Sequence, residues 1–243
     1  MQTGDVETAP LLEVRGLGRR FGAHWALAHV DLELGAGEGL LVVGANGAGK
    51  STLLRLITGL LRPHAGGVRV CGFNVEEHTR EARARLSRVG PGVGFHPRLS
   101  GAESLEFWDG RAGPGPGPGE AARSALLEEA GLADCRDRPV ATYSSGQRQR
   151  LALARARLER PRLLLLDEPF TALDTGGRAW LATWLRRLQG EGVGWLLATH
   201  ELEPARELCP QALRLDAGQV VWRGPSRELL DGGAPAAAGA GGA

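Results

Sequence analysis

Gly44-Ala45-Asn46-Gly47-Ala48-Gly49-Lys50-Ser51 is the stretch on which the reading of this chain turns. It fits the pattern G-x-x-x-x-G-K-[ST] in the context that pattern requires. A short apolar run, Leu40–Val43, reads as the strand before it, and the apolar-periodic run Ser51–Leu61, ending near Pro63, reads as the helix after it. Glycines let main-chain N–H groups turn inward around phosphate oxygens, and a helix N-terminus adds partial positive charge. Lys50 then reaches β- and γ-phosphates, and the Ser51 hydroxyl takes one Mg²⁺ position. The competing reading is a glycine-rich turn with an incidental lysine. Residue counts weigh against it, because Lys50 is the single lysine among 29 basic residues. An ammonium on a slim stem fits where a guanidinium fork would clash.

Outward from that loop, Leu163-Leu164-Leu165-Leu166-Asp167-Glu168 reads as a buried strand ending in two acids. Ligands of open parallel sheets sit at the carboxyl ends of strands. Asp167 there can join a Mg²⁺ shell, and Glu168 can orient or deprotonate an attacking water. Taken alone, the pair could equally cap a helix. Tyr143-Ser144-Ser145-Gly146-Gln147 reads as a further helix N-terminus with serine caps, able to receive an anion.

Elsewhere strands are expected at Leu11–Val14, Ala28–Leu34, Gly67–Gly72, Val193–Thr199, Ala212–Asp216 and Val220–Trp222. Helices are expected at Thr79–Arg88, Ala102–Trp108, Glu120–Ala130, Gly146–Arg160, Gly177–Leu188 and Glu203–Leu208. Strands alternating with helices imply a mostly parallel sheet with helices on its faces. The Gly/Pro-rich tract Gly113–Gly119 reads as a connector inside a helical insert, and the terminal Gly232–Ala243 as a disordered tail.

Composition narrows the class. With 42% apolar and 23% charged residues, the 243-residue chain has the balance of a globular domain. A net charge of +1 gives no bulk field for nucleic acid or anionic lipid. Three scattered cysteines form neither a disulfide framework nor a zinc spacing, which favours a reducing compartment. No run is long and apolar enough to cross a bilayer, and no secretory leader is visible. The arginines at 148, 150, 155, 157 and 160 read as a solvated helix face, since no aromatic residues interleave with them.

In this order and spacing the chain resembles the nucleotide-binding domains of ATP-binding cassette (ABC) transporters over about residues 11–230. The resemblance implies an α/β P-loop NTPase fold with a mostly parallel sheet flanked by helices. It adds a small N-terminal antiparallel β part and a helical subdomain at about 90–160, with 231–243 outside the domain. It assigns nucleotide binding to Gly44, Ala45, Asn46, Gly47, Ala48, Gly49, Lys50, Ser51 and Thr52, and adenine stacking to Phe21. For Phe21 an ordinary core or surface aromatic competes equally with that role. The resemblance assigns Mg²⁺ to Ser51 and Asp167, catalysis to Glu168 and His200, and the D-loop to Asp174. Ser144, Ser145, Gly146 and Gln147, within Tyr143–Gln147, correspond to the family signature LSGGQ, which contacts the ATP of a second cassette. That implies ATP and Mg²⁺ as cofactors, and a homodimer or a heterodimer with a related ATPase. It also implies an integral membrane permease partner, no nucleic acid, and a cytoplasmic place on the inner face of the membrane. Asp167–Asp174 is similar to haem-exporter and related exporter ATPases, and Leu99–Glu103 to drug- and polysaccharide-exporting ones, so export is expected. A soluble non-transport ABC ATPase and a degenerate regulatory nucleotide binder are the other readings.

The chain departs from the family at three places. Ala45 stands for a common proline, and in the signature Tyr143 and Ser145 stand for the first letter and the first glycine. The family's Q-loop glutamine should fall near Arg88–Pro97, yet no glutamine occurs between Gln2 and Gln147. In Val89–His96 only His96 carries a polar side chain.

Overall fold

A computed structural model describes residues 10–91, 94–109 and 117–229. Strands β1 (Leu12–Phe21) and β2 (His24–Leu34) form an antiparallel hairpin in which Leu12 faces Leu34 and Phe21 faces His24. Val30, Leu32 and Leu34 alternate inward along β2, the period of a half-buried strand. After the Gly35–Glu38 turn come β3 (Gly39–Val43), the phosphate-loop candidate and α1 (Lys50–Ile57). Next are β4 (Ala65–Val70) and β5 (Phe73–Asn74), which complete a four-stranded antiparallel sheet in the order β2-β1-β4-β5.

The chain continues through α2 (Thr79–Arg83), β6 (Leu86–Val89), α3 (Gly101–Asp109), α4 (Gly119–Glu129) and α5 (Ser145–Leu158). It then runs β7 (Leu163–Asp167), α6 (Thr175–Gly190), β8 (Gly194–Thr199), α7 (Glu203–Arg206), β9 (Gln211–Asp216) and β10 (Gln219–Pro225). The second sheet has the order β10-β9-β3-β8-β7-β6. Its strands are parallel except β10, which returns antiparallel along β9. Every residue of β3, β7 and β8 is buried, which is why these strands run apolar without alternation up to the terminal Asp167 of β7 and Thr199 of β8.

Three apolar clusters hold the layers. One fills the space between the sheets around Leu53, Leu54, Leu56 and Ile57 of α1. The second lies on the other face, where Leu153, Leu181 and Leu185 meet Leu164, Leu166 and Trp195. The third joins α3, α4 and α5 through Leu105, Leu127 and Leu151, with Tyr143 among them.

The structure corrects several expected elements. Thr79–Arg88 is not one helix, because α2 stops at Arg83 and Leu86–Val89 pairs in parallel with Leu163–Leu166. Strand pairing overrides the helical propensity of that charged segment. The antiparallel part is not confined to the N-terminus, since β4 and β5 follow the phosphate loop. The helix after the loop ends at Ile57, short of Leu61, and α7 ends at Arg206. Arg155 is buried and does not belong to a solvated face. Most of Gly113–Gly119 and all of 231–243 lie outside the described residues. Among those described, no helix is long and apolar enough to cross a membrane.

Candidate functional site

Parallel register brings four chain segments to one edge of the six-stranded sheet. Val43 of β3 lies opposite Thr199 of β8, Asp167 of β7 opposite Ala198, and Val89 of β6 opposite Leu166. The loop 44–51, the acids Asp167 and Glu168, His200 and Gly90 therefore all leave from strand carboxyl ends. Ligands of open parallel sheets bind at such an edge.

Gly49 caps α1 with φ of 108°, a left-handed conformation that strains any residue with a Cβ. A Cβ there would also lie 2.6 Å from the Ala26 carbonyl oxygen. No side chain caps α1, so its first-turn N–H groups are left to an anion. Lys50 is only 6% exposed, and its Nζ donates to the carbonyls of Gly44 at 2.6 Å and Ala45 at 3.2 Å. That ammonium lies over its own loop and 3.8 Å from Glu168 Oε1. Thr52 follows half-buried on α1.

Ser51 Oγ donates to Asp167 Oδ1 at 3.2 Å, and Asp167 is 3% exposed. A hydroxyl and a carboxylate oxygen side by side are two of the oxygen donors that a hard cation takes. Glu168 has φ of 51°, a left-handed conformation costing about 1–3 kcal/mol in a non-glycine residue. Strain of that kind collects at functional sites. Its Oε2 accepts from Thr199 Oγ1 at 2.8 Å and from the His200 N–H at 3.3 Å, and lies 3.0 Å from His200 Nδ1. The site thus holds a carboxylate ringed by donors beside an ammonium and an oxygen pair.

On the facing wall, Ser144 caps α5 in a reciprocal box. Its Oγ accepts from the Gln147 N–H at 3.1 Å, and Gln147 Oε1 accepts from the Ser144 N–H at 2.9 Å. Asp174 caps α6 by accepting from the Gly177 N–H at 2.7 Å, with Arg150 Nη2 at 3.7 Å. Between the walls lies a cleft of about 740 Å³, lined among others by Asn46, Ser145, Asp167, Glu168 and His200.

A family model described as "ABC transporter" matches residues 27–171, more than half of the chain. The chain belongs to the ABC transporter family. It is an ATP-binding and ATP-hydrolysing subunit of that family, whose cassettes work with membrane permease subunits. The daunorubicin resistance ATP-binding protein DrrA3 of Streptomyces coeruleorubidus is 38% identical over 218 residues, covering 90% of this chain and 69% of that one. A sulfate/thiosulfate import ATP-binding protein of Bordetella parapertussis is 39% identical over 228 residues, covering 90% of this chain and 63% of that protein. A dimeric ATP-binding cassette in a post-hydrolysis state bound to ADP and Pi superposes with a TM-score of 0.81. It is 25% identical, covering 89% of this chain and 99% of that one.

The ABC fold brings Lys50, Ser51, Asp167, Glu168 and His200 together, but Phe21 stands apart from that cluster. It ends β1 at the hairpin tip, 47% exposed, with the Arg19 guanidinium 5.0 Å from its ring centre. His96, the one polar side chain of Val89–His96, is exposed, and its Nδ1 accepts from the Arg98 N–H at 3.3 Å. Two residues of the site escaped the sequence reading. Thr199 binds Glu168, and its signal was only its place before His200. Arg88 reaches Asp167 Oδ2 at 3.3 Å, and in the charged run 79–88 nothing sets it apart from Arg80, Arg83 and Arg85.

Proposed function

We propose that this ABC subunit drives export, working as a closed pair of cassettes on the inner face of the membrane against a separate permease. The observation that carries the site assignment is the convergence of Lys50, Ser51, Asp167, Glu168 and His200 at one sheet edge, within hydrogen-bond or ion-pair reach of one another. Loop amides 44–49 and Lys50 bind the phosphates, and Thr52 supports them at the start of α1. Ser51 Oγ and Asp167 Oδ1 would hold Mg²⁺, which supplies charge neutralisation at the β- and γ-phosphates. Glu168 accepts the proton of the attacking water as its oxygen bonds to the γ-phosphorus. The bond from that phosphorus to the β–γ bridging oxygen breaks, leaving ADP and phosphate. His200 holds Glu168 and faces the γ-phosphate. Phe21 offers its ring to adenine.

Ser144, Ser145, Gly146, Gln147 and Asp174 complete the site of a second copy or a related ATPase. One chain carries one loop and one signature, so two chains are needed for two full sites. Dimer closure on ATP and reopening after hydrolysis would switch the permease between access states. We take one cassette to span about 11–230, with 90–160 as its helical part. Relatives of similar identity include an importer, so the direction rests on the exporter-like segments 99–103 and 167–174. Recovery of the chain from washed membranes with a polytopic partner supports the reading, and transport assays with that partner give the direction. A wholly soluble protein bound to ribosomes or DNA would refute it. The absent glutamine favours a second reading, a regulatory binder without turnover, which predicts ATP binding and no phosphate release at saturating Mg²⁺.

A further inference from the structure

Arg88 sits on edge strand β6, 9% exposed, where a guanidinium is costly to bury unless it is paired. Its Nη2 donates to Asp167 Oδ2 at 3.3 Å and to the Pro91 carbonyl at 3.1 Å, while its Nε has no partner among the described residues. The two oxygens of Asp167 are thereby divided, Oδ2 to Arg88 and Oδ1 to Ser51. Gly90 makes room for this contact, since a Cβ there would lie 2.5 Å from the Asp167 Cβ. The neighbouring cation is already committed: Arg155 donates to the Arg88 carbonyl and pairs with Glu159 Oε1 at 2.8 Å. Glu159 in turn accepts from Ser87 Oγ.

Charge at the phosphate end therefore balances in two pairs, Lys50 with Glu168 and Arg88 with Asp167. Without Arg88 the same edge would carry an unpaired negative charge facing a polyphosphate. We infer that Arg88 is a positioning residue that holds Asp167 by Oδ2 and neutralises it, so that the site accepts a nucleoside triphosphate with reduced dependence on a divalent cation. This rests on the nucleotide-site reading above. A unit charge a few ångström from a phosphate, at an effective dielectric of about 20, is worth more than a tenfold change in affinity.

The test is calorimetric titration of ATP into the full chain at pH 8, once in excess EDTA and once with Mg²⁺. Arg88→Gln keeps polar reach toward Asp167 but removes the charge, and Arg88→Lys keeps the charge. Arg88→Gln is expected to weaken Mg²⁺-free binding at least tenfold, about 1.4 kcal/mol, with Mg²⁺-ATP affinity held within about threefold. Arg88→Lys should keep the ratio of the two affinities within about threefold of the parent. An Arg88→Gln protein with a native circular dichroism spectrum and an unchanged ratio overturns the inference, as does equal weakening in both conditions. A parent chain that binds ATP in neither condition overturns the nucleotide-site reading and this inference with it.

Discussion

Glu168→Gln is the substitution that separates binding from chemistry at this site. The amide is nearly isosteric, and its oxygen can still accept from Thr199 Oγ1 and the His200 N–H, now at 2.8 and 3.3 Å. The left-handed backbone at 51° is no worse for glutamine than for glutamate, so stability should change by less than about 1 kcal/mol. What is lost is the proton acceptor. A positioned general base contributes about 10²–10⁴-fold, or about 3–5 kcal/mol of barrier. Lys50 Nζ, 3.8 Å from Glu168 Oε1, keeps its two loop carbonyls and remains available to phosphate. Steady-state phosphate release should therefore fall at least a hundredfold while ATP affinity is kept. ATP should also drive the variant into a dimer, seen as an earlier peak in size-exclusion chromatography. A variant that hydrolyses ATP above about a tenth of the parental rate would refute Glu168 as the base. One that stays monomeric at saturating ATP would refute the two-cassette arrangement.

Lys50→Ala should abolish measurable ATP turnover and weaken ATP binding by more than tenfold in calorimetry, since it removes the chain's single ammonium side chain, buried at the loop. Gly49→Ala should lower the melting temperature by well over 4 °C in a thermal scan, because it combines a left-handed φ of 108° with a backbone clash at 2.6 Å. Ser144→Ala removes half of the α5 capping box and should cost about 1 kcal/mol in denaturant unfolding. Burial pushes the Cys209 thiol up to about 12, which disfavours the thiolate throughout the neutral range. Native protein at pH 8 should therefore leave Cys209 unlabelled by iodoacetamide in peptide mass spectrometry, and unfolding should expose it to full labelling.

The site was legible wherever function depends on local spacing. The loop 44–51 carries its whole pattern within eight residues, and the four leucines of β7 announce a buried strand whose end brings Asp167 and Glu168 to the sheet edge. Legibility failed where a residue's role is set by a partner far along the chain. The segment 79–89 carries arginines at 80, 83, 85 and 88, and charge at that density reads as an exposed helix. Only pairing with β7, some eighty residues on, turns its last four residues into a strand and sends Arg88 inward. The strands of the first hairpin run well beyond the expected Leu11–Val14 and Ala28–Leu34 for a related reason. Its register shifts between Val14 and Leu17, between Leu17 and Arg19 and again at Arg20, so the alternation that marks a strand is lost after Val14.

Arg155 shows how the same kind of error conceals a connection between layers. On a helix with four arginines it looks interchangeable with its neighbours, yet it is 4% exposed, with its guanidinium 4.9 Å from the Trp108 ring centre of α3. Burial lowers its pKa and raises that of Glu159, each shift opposed by the charge of the other. Burial therefore works against both charges, and the pair persists because each partner would be costlier alone. The pair ties the helical layer to β6, because Arg155 also donates to the carbonyl of Arg88. A shift of α3 and α5 relative to the sheet must pull on that carbonyl, and the Arg88 side chain holds the acid beside Ser51. Trp108→Ala, far from any phosphate, should accordingly reduce turnover more than ATP affinity. Equal loss of both would mean that the contact serves stability alone.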